Sequence, residues 1–330
     1  MQIVNSTQAK VFITRYIPTE LKELEEIATI EVWEERQPPP RAVLLEKART
    51  ANGILCLLTD PIDRKLIESA SNLQVISQMA VSYDNIDITA ATAQGIPVGY
   101  TPGMLTDTTA DLTWALLMAA ARQLLIADRF TRGGLWKAWE PDLFLGATIT
   151  GATLGIIGFG EIGKAIARRA QGFDMRVLYN SNYRCDVHLE NYLSIEFSNL
   201  ERLLREADFI TIHIPLSPNT YHLLSDHQFR LMKPSAILIN TAQGQVVDQD
   251  ALYNALSEGQ LASAAIDVTE PKLIASNSPL FALDNLIITP NLSDASRENR
   301  KKMANMAIKN LIAGLKGDLL PYCVNSEVYS

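Results

Sequence analysis

The sequence predicts an α/β protein of two doubly wound domains, and three observations carry that expectation. Strand-like and helix-like runs alternate from end to end, as in parallel sheets covered on both faces by helices. A glycine-rich turn joins a strand to a helix in mid-chain. The 330 residues suit two domains better than one.

The elements follow in order. Residues 9–15 read as a first strand, and further strand-like runs fall at 53–58, 73–77, 153–157, 208–213, 236–240 and 285–289. Helical patterns separate them, for example at 20–27, 198–206 and 248–258. Residues 106–133 break the rhythm and read as one long helix with an apolar stripe of Leu112, Ala115, Leu116 and Ala119. It is a natural connector between two α/β units. The chain is expected to cross between units near 99–103 and near 288–291, both Pro-containing, with a last helix over about 294–315 returning to the first unit. This makes one discontinuous domain of 1–100 and 291–330 and a middle domain of 101–290, with a cleft between them. The alternative is one large sheet without a hinge. Residues 37–40 read as a stiff surface turn, and no internal repeat is found.

Composition narrows the class. Apolar residues make up 47% and charged residues 20%, an ordinary globular mix. A net charge of −8 gives no overall attraction to nucleic acid or an anionic membrane. No apolar run reaches the ~20 residues that span a bilayer. The start passes almost directly into a strand without a signal-peptide layout. Cys56, Cys185 and Cys323 are odd in number and far apart, so neither a disulfide framework nor a zinc site is indicated. A cytoplasmic setting is the default reading.

The chemistry starts at residues 158–163, which form a GxGxxG. Alone the pattern is weak, but here it follows a β-rich run and opens a helical one. Gly158 allows a tight turn, Gly160 lets the backbone approach a pyrophosphate, and Gly163 permits close helix–strand packing. Phe159, Glu161 and Ile162 complete the turn and the helix start that faces the phosphates. A ligand-free glycine turn is the alternative. An NAD-preferring protein usually carries an acid at the end of the next strand. Here that region holds Asn180, Ser181, Asn182 and Arg184, with no acid before Asp186. An acid would repel a 2′-phosphate and Arg184 can meet one, so NADP(H) is expected to bind at least as well as NAD(H). Arg184 as a solvated loop cation is the competing reading.

Residues 75–84, 100–111, 155–163, 237–242, 248–252 and 267–271 together resemble the D-isomer-specific 2-hydroxyacid dehydrogenases, most closely their glyoxylate/hydroxypyruvate reductase branch. The resemblance runs from about residue 51 to 325. It implies a Rossmann NAD(P)-binding domain, a discontinuous flavodoxin-like substrate domain and a homodimer that uses the long helix. It also implies cofactor contacts from Thr109, Pro215, Thr241, Ala242, Asp267 and Asn291, beside the glycine turn and Ser181, Asn182 and Arg184.

The family chemistry uses a histidine to protonate the substrate carbonyl, a glutamate paired with it, and an arginine for the substrate carboxylate. Glu270 matches the glutamate. The arginine position holds Gln243, the histidine position holds Asn291, and a Val-Gly pair that binds the carboxylate through its backbone reads Val81-Ser82. An amide donates a hydrogen bond but gives up no proton near neutral pH. Loss of a general acid typically forfeits about 10²–10⁴ in rate. Gln243 cannot make the charged bidentate fork. Ordinary glyoxylate or hydroxypyruvate reduction is therefore expected to be poor.

The remaining ionisable groups offer few replacements. Asp294 stands three residues after Asn291 and serves as an acid only if burial raises its pKa; a helix N-cap is its plainer reading. Lys272 is another nearby charge. His213 lies at a strand end and reads as structural, while His188, His222 and His227 read as loop or helix-surface residues. Tyr83 and Trp139 line a pocket or simply pack. Two functional readings stand. The first is an NAD(P)-dependent oxidoreductase acting on a non-standard small-molecule substrate. The second is an NAD(P)-binding pseudoenzyme that senses or scaffolds. A purely structural dimer conflicts with the intact glycine turn.

Overall fold

The computed structural model describes residues 8–103, 106–293 and 295–330, and the chain divides into two compact units, Met1–Met104 with Ala295–Ser330 and Leu105–Asp294. Each is an α/β unit with a wholly parallel sheet.

The first unit alternates β1 (Ala9–Ile13), α1 (Lys22–Glu25), β2 (Ala28–Val32), α2 (Arg41–Thr50), β3 (Gly53–Cys56), α3 (Arg64–Ser69), β4 (Val75–Gln78), α4 (Ile88–Ala93) and β5 (Val98–Gly99). The strand order is β2-β1-β3-β4-β5, the flavodoxin-like doubly wound order. Central strands β3 and β4 are buried along their whole length, which is why they read as unbroken apolar runs. The C-terminal helix Arg297–Lys316 packs on this sheet. Ser77 Oγ donates to the Ala307 carbonyl at 2.9 Å, and a Cβ on Gly314 would sit 2.5 Å from Val75. Buried Asn310 bridges the Tyr100 carbonyl and the Tyr322 amide at 3.0 and 3.1 Å. Ser296 caps this helix by accepting from the Asn299 amide. The cap expected at Asp294 falls on a residue outside the described ones.

The second unit holds α5 (Thr106–Ala121), α6 (Leu124–Arg132), β6 (Thr153–Ile157), α7 (Glu161–Ala170), β7 (Arg176–Asn180), α8 (Val187–Leu193), β8 (Ile195–Phe197), α9 (Leu200–Glu206), β9 (Phe209–Ile212), α10 (Asp226–Leu231), β10 (Ile237–Asn240), α11 (Gln249–Ser257), β11 (Ser263–Ile266) and β12 (Leu286–Ile288). Its seven strands run β12-β11-β10-β9-β6-β7-β8, so the order reverses beside β6. Two apolar clusters fill the faces of this sheet. Each fully buried Leu or Ile there contributes about 1.5–3 kcal/mol relative to exposure. Gly155 in β6 is needed for packing, since a Cβ would lie 2.5 Å from Leu203 of α9.

Two sequence expectations need correction. The long helix over 106–133 is two helices bent by 61°, because Gln123 adopts a left-handed φ of 51° that an α-helix cannot continue through. The helix expected over 20–27 is only the single turn Lys22–Glu25. Among the described residues no single helix is long and apolar enough to cross a membrane.

Candidate active site

The glycine turn is built as a phosphate cradle. Gly158 follows β6 with φ 98°, and a Cβ there would lie 2.4 Å from the His213 carbonyl oxygen. A Cβ on Gly163 would lie 2.4 Å from the Gly158 oxygen, so α7 approaches β6 only because both residues are glycine. Gly160 differs, since nothing lies within 4 Å of the place its Cβ would take. It is the N-cap of α7 and supplies no side-chain cap, so the first-turn amides around Glu161 and Ile162 remain available to an anion. Glu161 is turned aside to Lys164 at 2.8 Å, which lowers its carboxyl pKa. Phe159 is buried with its ring centroid 4.3 Å from that of Tyr179. An open face, fixed tight turns and free helix amides fit a dinucleotide pyrophosphate.

At the end of β7, Arg184 is an exposed loop cation with an acidic partner. Its guanidinium donates to both carboxylate oxygens of Glu190, at 2.9 and 2.7 Å, and Tyr179 Oη donates to the same carboxylate at 2.6 Å. The Arg184 and Tyr179 hydrogen bonds hold the Glu190 carboxyl down at about 2. The acid missing from the strand end thus arrives from α8, with its oxygens already occupied. Arg184 itself stays 63% exposed. Asn180 donates to the Ser198 carbonyl at 2.9 Å, Ser181 is half-buried and Asn182 is exposed.

The segments that follow β9, β10, β11 and β12 all leave the carboxyl ends of parallel strands, where doubly wound sheets place their ligands. After β10, buried Asn240 braces the turn by accepting from the Ala242 amide and donating to the Gln243 carbonyl, at 3.0 and 2.9 Å. Thr241 meets Thr113 of α5 at 2.8 Å, and Thr113 also donates to the buried Thr109 carbonyl at 2.7 Å. Gly244 rests on the loop after β11, where a Cβ would come 2.3 Å from the Thr269 carbonyl oxygen and 2.9 Å from Glu270 N. Gln243 and Glu270 are therefore brought to neighbouring backbone.

After β11, Asp267 is buried and fully engaged. Its carboxylate accepts from Thr289 Oγ1 (2.6 Å), the Leu292 amide (2.7 Å), and the amide and hydroxyl of Ser293 (3.0 and 2.7 Å). It pins residues 289–293, within which Asn291 takes φ 56° and is exposed. Asparagine tolerates that left-handed geometry better than most residues. Among the described residues the Asn291 side chain makes no hydrogen bond to Glu270.

Glu270 is bound instead by a histidine that the sequence alone places on the surface. His222 Nε2 lies 2.7 Å from Glu270 Oε2, and its Nδ1 lies 3.8 Å from Asp248. Tyr221 stacks on the imidazole at 4.0 Å and donates its hydroxyl to Glu270 at 3.4 Å. Desolvation and the Glu270 charge raise the Tyr221 pKa. The His222 amide donates to the Gln245 carbonyl at 2.8 Å, and Leu224 bridges Val247, so the 222–224 segment lies along 245–247. Position after β9, at the carboxyl edge of the sheet, is the signal that could have singled out His222.

The other candidates disperse. His213 is half-buried with both ring nitrogens shielded from solvent and, among the described residues, unpartnered; desolvation pushes its pKa down to about 3. His188, His227 and Lys272 are exposed, and Pro215 is exposed with its carbonyl accepting from Thr220 at 2.7 Å. Trp139 is 81% exposed. In the first unit, Val81 and Ser82 are half-buried, Ser82 Oγ donates to Asp84 at 2.6 Å, and Tyr83 packs edge-on against Tyr100. Asp294 lies outside the described residues. The described residues contain no cluster of metal-ligating side chains, and the three cysteines are free. A cleft of about 360 Å³ in the second unit opens at the opposite edge of the sheet, between α5–α6 and the amino ends of β10–β12. It is mostly apolar, and the chemistry-bearing residues lie elsewhere.

Known proteins agree with this architecture. Residues 114–293 match the family model described as D-isomer specific 2-hydroxyacid dehydrogenase, NAD binding domain. A glyoxylate reductase of Korarchaeum cryptofilum is 47% identical over 97% of this chain and 96% of its own length. The crystal structure of the TT0316 protein from Thermus thermophilus superposes with TM-score 0.88 at 42% identity, covering 96% of this chain and 99% of that one. An acyclic imino acid reductase in complex with NADPH and D-Arg superposes with TM-score 0.78 at 28% identity, covering 96% and 99%. With its glycine cradle and carboxyl-edge loops, the chain belongs to the D-isomer-specific 2-hydroxyacid dehydrogenase family, a family of NAD(P)-dependent oxidoreductases acting on CH–OH groups.

Proposed function

We propose that this protein uses NAD(P)H to reduce a small carbonyl compound that is not held by a charged carboxylate fork. The observation that carries the reading is the pairing of an intact cradle at Gly158–Gly163 with the neutral side chains of Gln243 and Asn291 at the family's cationic and acidic positions. A bound nicotinamide supplies hydride. Gly160 and the first-turn amides of α7 hold the pyrophosphate, and Ser181, Asn182 and Arg184 meet the adenosine ribose or its phosphate. Gln243 offers one amide donor and one acceptor, which suit an uncharged amide, hydroxyl or carbonyl better than a carboxylate. Asn291 can polarise an oxygen by donating to it, but moves no proton. An imino acid reductase of the same fold, bound to NADPH, supports a substrate range wider than 2-oxo acids.

The test is steady-state turnover with NADH and NADPH against glyoxylate, hydroxypyruvate, their amides, small aldehydes and imines. The expected result is weak reduction of the two 2-oxo acids and clear turnover of an uncharged member. Brisk glyoxylate reduction contradicts the substrate reading. Cofactor binding with no turnover of any member favours a sensor or scaffold instead.

The same reading includes a homodimer. Exposed Leu124, Leu125, Leu135, Trp136 and Trp139 on and after α6, with Leu125 also lining the apolar cleft, are more apolar surface than a lone unit needs. Sedimentation should give a dimer at micromolar concentration, and a monomer there contradicts it.

A further inference from the structure

We infer that His222 and Glu270 together form the proton source of the reaction, in place of the residue at 291; this rests on the reductase reading above. Glu270 is the carboxylate that the family pairs with its acid, and here its hydrogen-bond partner is His222 at 2.7 Å. His222 stands on the segment after β9 and Glu270 on the loop after β11, both at the carboxyl edge of the sheet. The pair is held from several sides. Tyr221 stacks on the ring and reaches the carboxylate, the Gln245 carbonyl fixes the His222 backbone, and Gln249 Oε1 accepts from the Glu270 amide at 3.2 Å.

The ionisable groups facing the imidazole are Glu270, Asp248 at 3.8 Å and Tyr221. Among the described residues no Lys or Arg ion-pairs with Glu270. The two side chains remain 31% and 29% exposed, so the pair can exchange protons with solvent and with a ligand.

The reaction balances with this pair. The carbonyl carbon would take a C–H hydride from a bound reduced nicotinamide dinucleotide, leaving it in the oxidised form, and the carbonyl π electrons would move to oxygen. That oxygen takes the proton shared by His222 and Glu270, forming the O–H bond. The pair then regains a proton from water. Neutral Asn291 takes no part in this proton movement.

The experiment uses the full-length protein and the carbonyl compound that the wild type reduces fastest. His222→Asn is the first variant, because asparagine tolerates the left-handed φ of 48° found there. His222→Gln is the second, should the first fold poorly by circular dichroism. The expected result is a loss in kcat of about 10²-fold, with loss of the histidine limb of the pH–rate profile. Cofactor binding, followed by fluorescence, should stay unchanged. In a Gln243→Arg/Asn291→His background the same His222 change should matter less than about tenfold, because an imidazole at 291 resumes the task. A readout independent of turnover comes from ¹³C-histidine NMR of the apoprotein: the His222 signal should move on Glu270→Gln and not on Asn291→Ala.

Retained kcat and an unchanged pH profile overturn the inference and leave the reductase reading standing. An equal loss in both backgrounds assigns His222 a structural role and overturns it too. A wild type inert on the whole panel overturns the reductase reading and this inference with it.

Discussion

The turn after β6 and the loops after β10 and β12 stand at the same edge of one sheet, yet they differ in how they limit substitution. In the turn, geometry decides. Gly158 at φ 98° and Gly163 against the Gly158 carbonyl leave no room for a side chain. In the loops, backbone bracing and side-chain chemistry are separate. Asn240 and Asp267 hold the main chain, so the side chains of Gln243 and Asn291 are not needed to brace it. On the function proposed above, the scaffold keeps its cofactor cradle while its chemistry changes at these two positions.

The largest expected effect breaks the first half of that comparison. Gly158→Val forces a β-branched side chain into a left-handed backbone and against the His213 carbonyl, 2.4 Å from its Cβ. It should lower stability by about 3 kcal/mol or more and abolish cofactor binding. Chemical denaturation and calorimetric titration measure the two losses. A variant as stable as the wild type that still binds NAD(H) contradicts the cradle.

A smaller effect concerns cofactor choice. Because Glu190 occupies Arg184, wild-type affinities for NAD(H) and NADP(H) should lie within about tenfold of each other. Glu190→Gln removes the opposing charge and should improve NADP(H) relative to NAD(H) by about tenfold. Arg184→Ala should reverse that gain. Calorimetry with both cofactors decides; a ratio unmoved by either variant excludes Arg184 from the site.

The smallest expected effect is on stability against pH. His213 is neutral when folded, with its pKa pushed down to about 3 by burial, against 6.5 for a free imidazole. The unfolded chain therefore binds the extra proton first. The folded state is favoured fully above pH 6.5 and loses that contribution as pH falls toward 3. His213→Phe removes both orphaned nitrogens. It should leave neutral-pH stability within about 1.5 kcal/mol and flatten the acid side of the curve. An unchanged slope between pH 6 and 4 in urea titrations sinks this assignment (~1 kcal/mol precision suffices).

The same contrast explains what the sequence could disclose. Fold class and the glycine turn are legible because they depend on periodicity and on residues that admit no substitute, such as Gly158 and Gly163. The helix break at Gln123 is not, because a single left-handed residue inside an apolar pattern leaves no compositional mark. The Glu190 partner of Arg184 is not legible from sequence, because it lies in the following helix. His222 reads as a surface residue because its meeting with Glu270 joins residues 48 apart, through two loops that only the sheet order brings together. The departures proposed at 243 and 291 rest on sequence alone, as substitutions in motifs that otherwise resemble those of the family.

The most direct test of the central claim restores the two departed side chains. Gln243→Arg returns the carboxylate fork and should carry most of the gain, because His222 and Glu270 already supply a proton; Asn291→His adds a second donor and should add less. Ser82→Gly is the third change to add, should the Ser82 side chain obstruct the carboxylate. Steady-state reduction of glyoxylate by NADH and NADPH is measured for wild type, both single variants and the double variant, with folding checked on each. The account predicts wild-type turnover barely above background and a gain of about 10²-fold or more in the double variant, with histidine-type pH dependence. Brisk wild-type turnover of glyoxylate, unimproved by the double substitution, would contradict the claim that Gln243 and Asn291 disable the family's usual reaction.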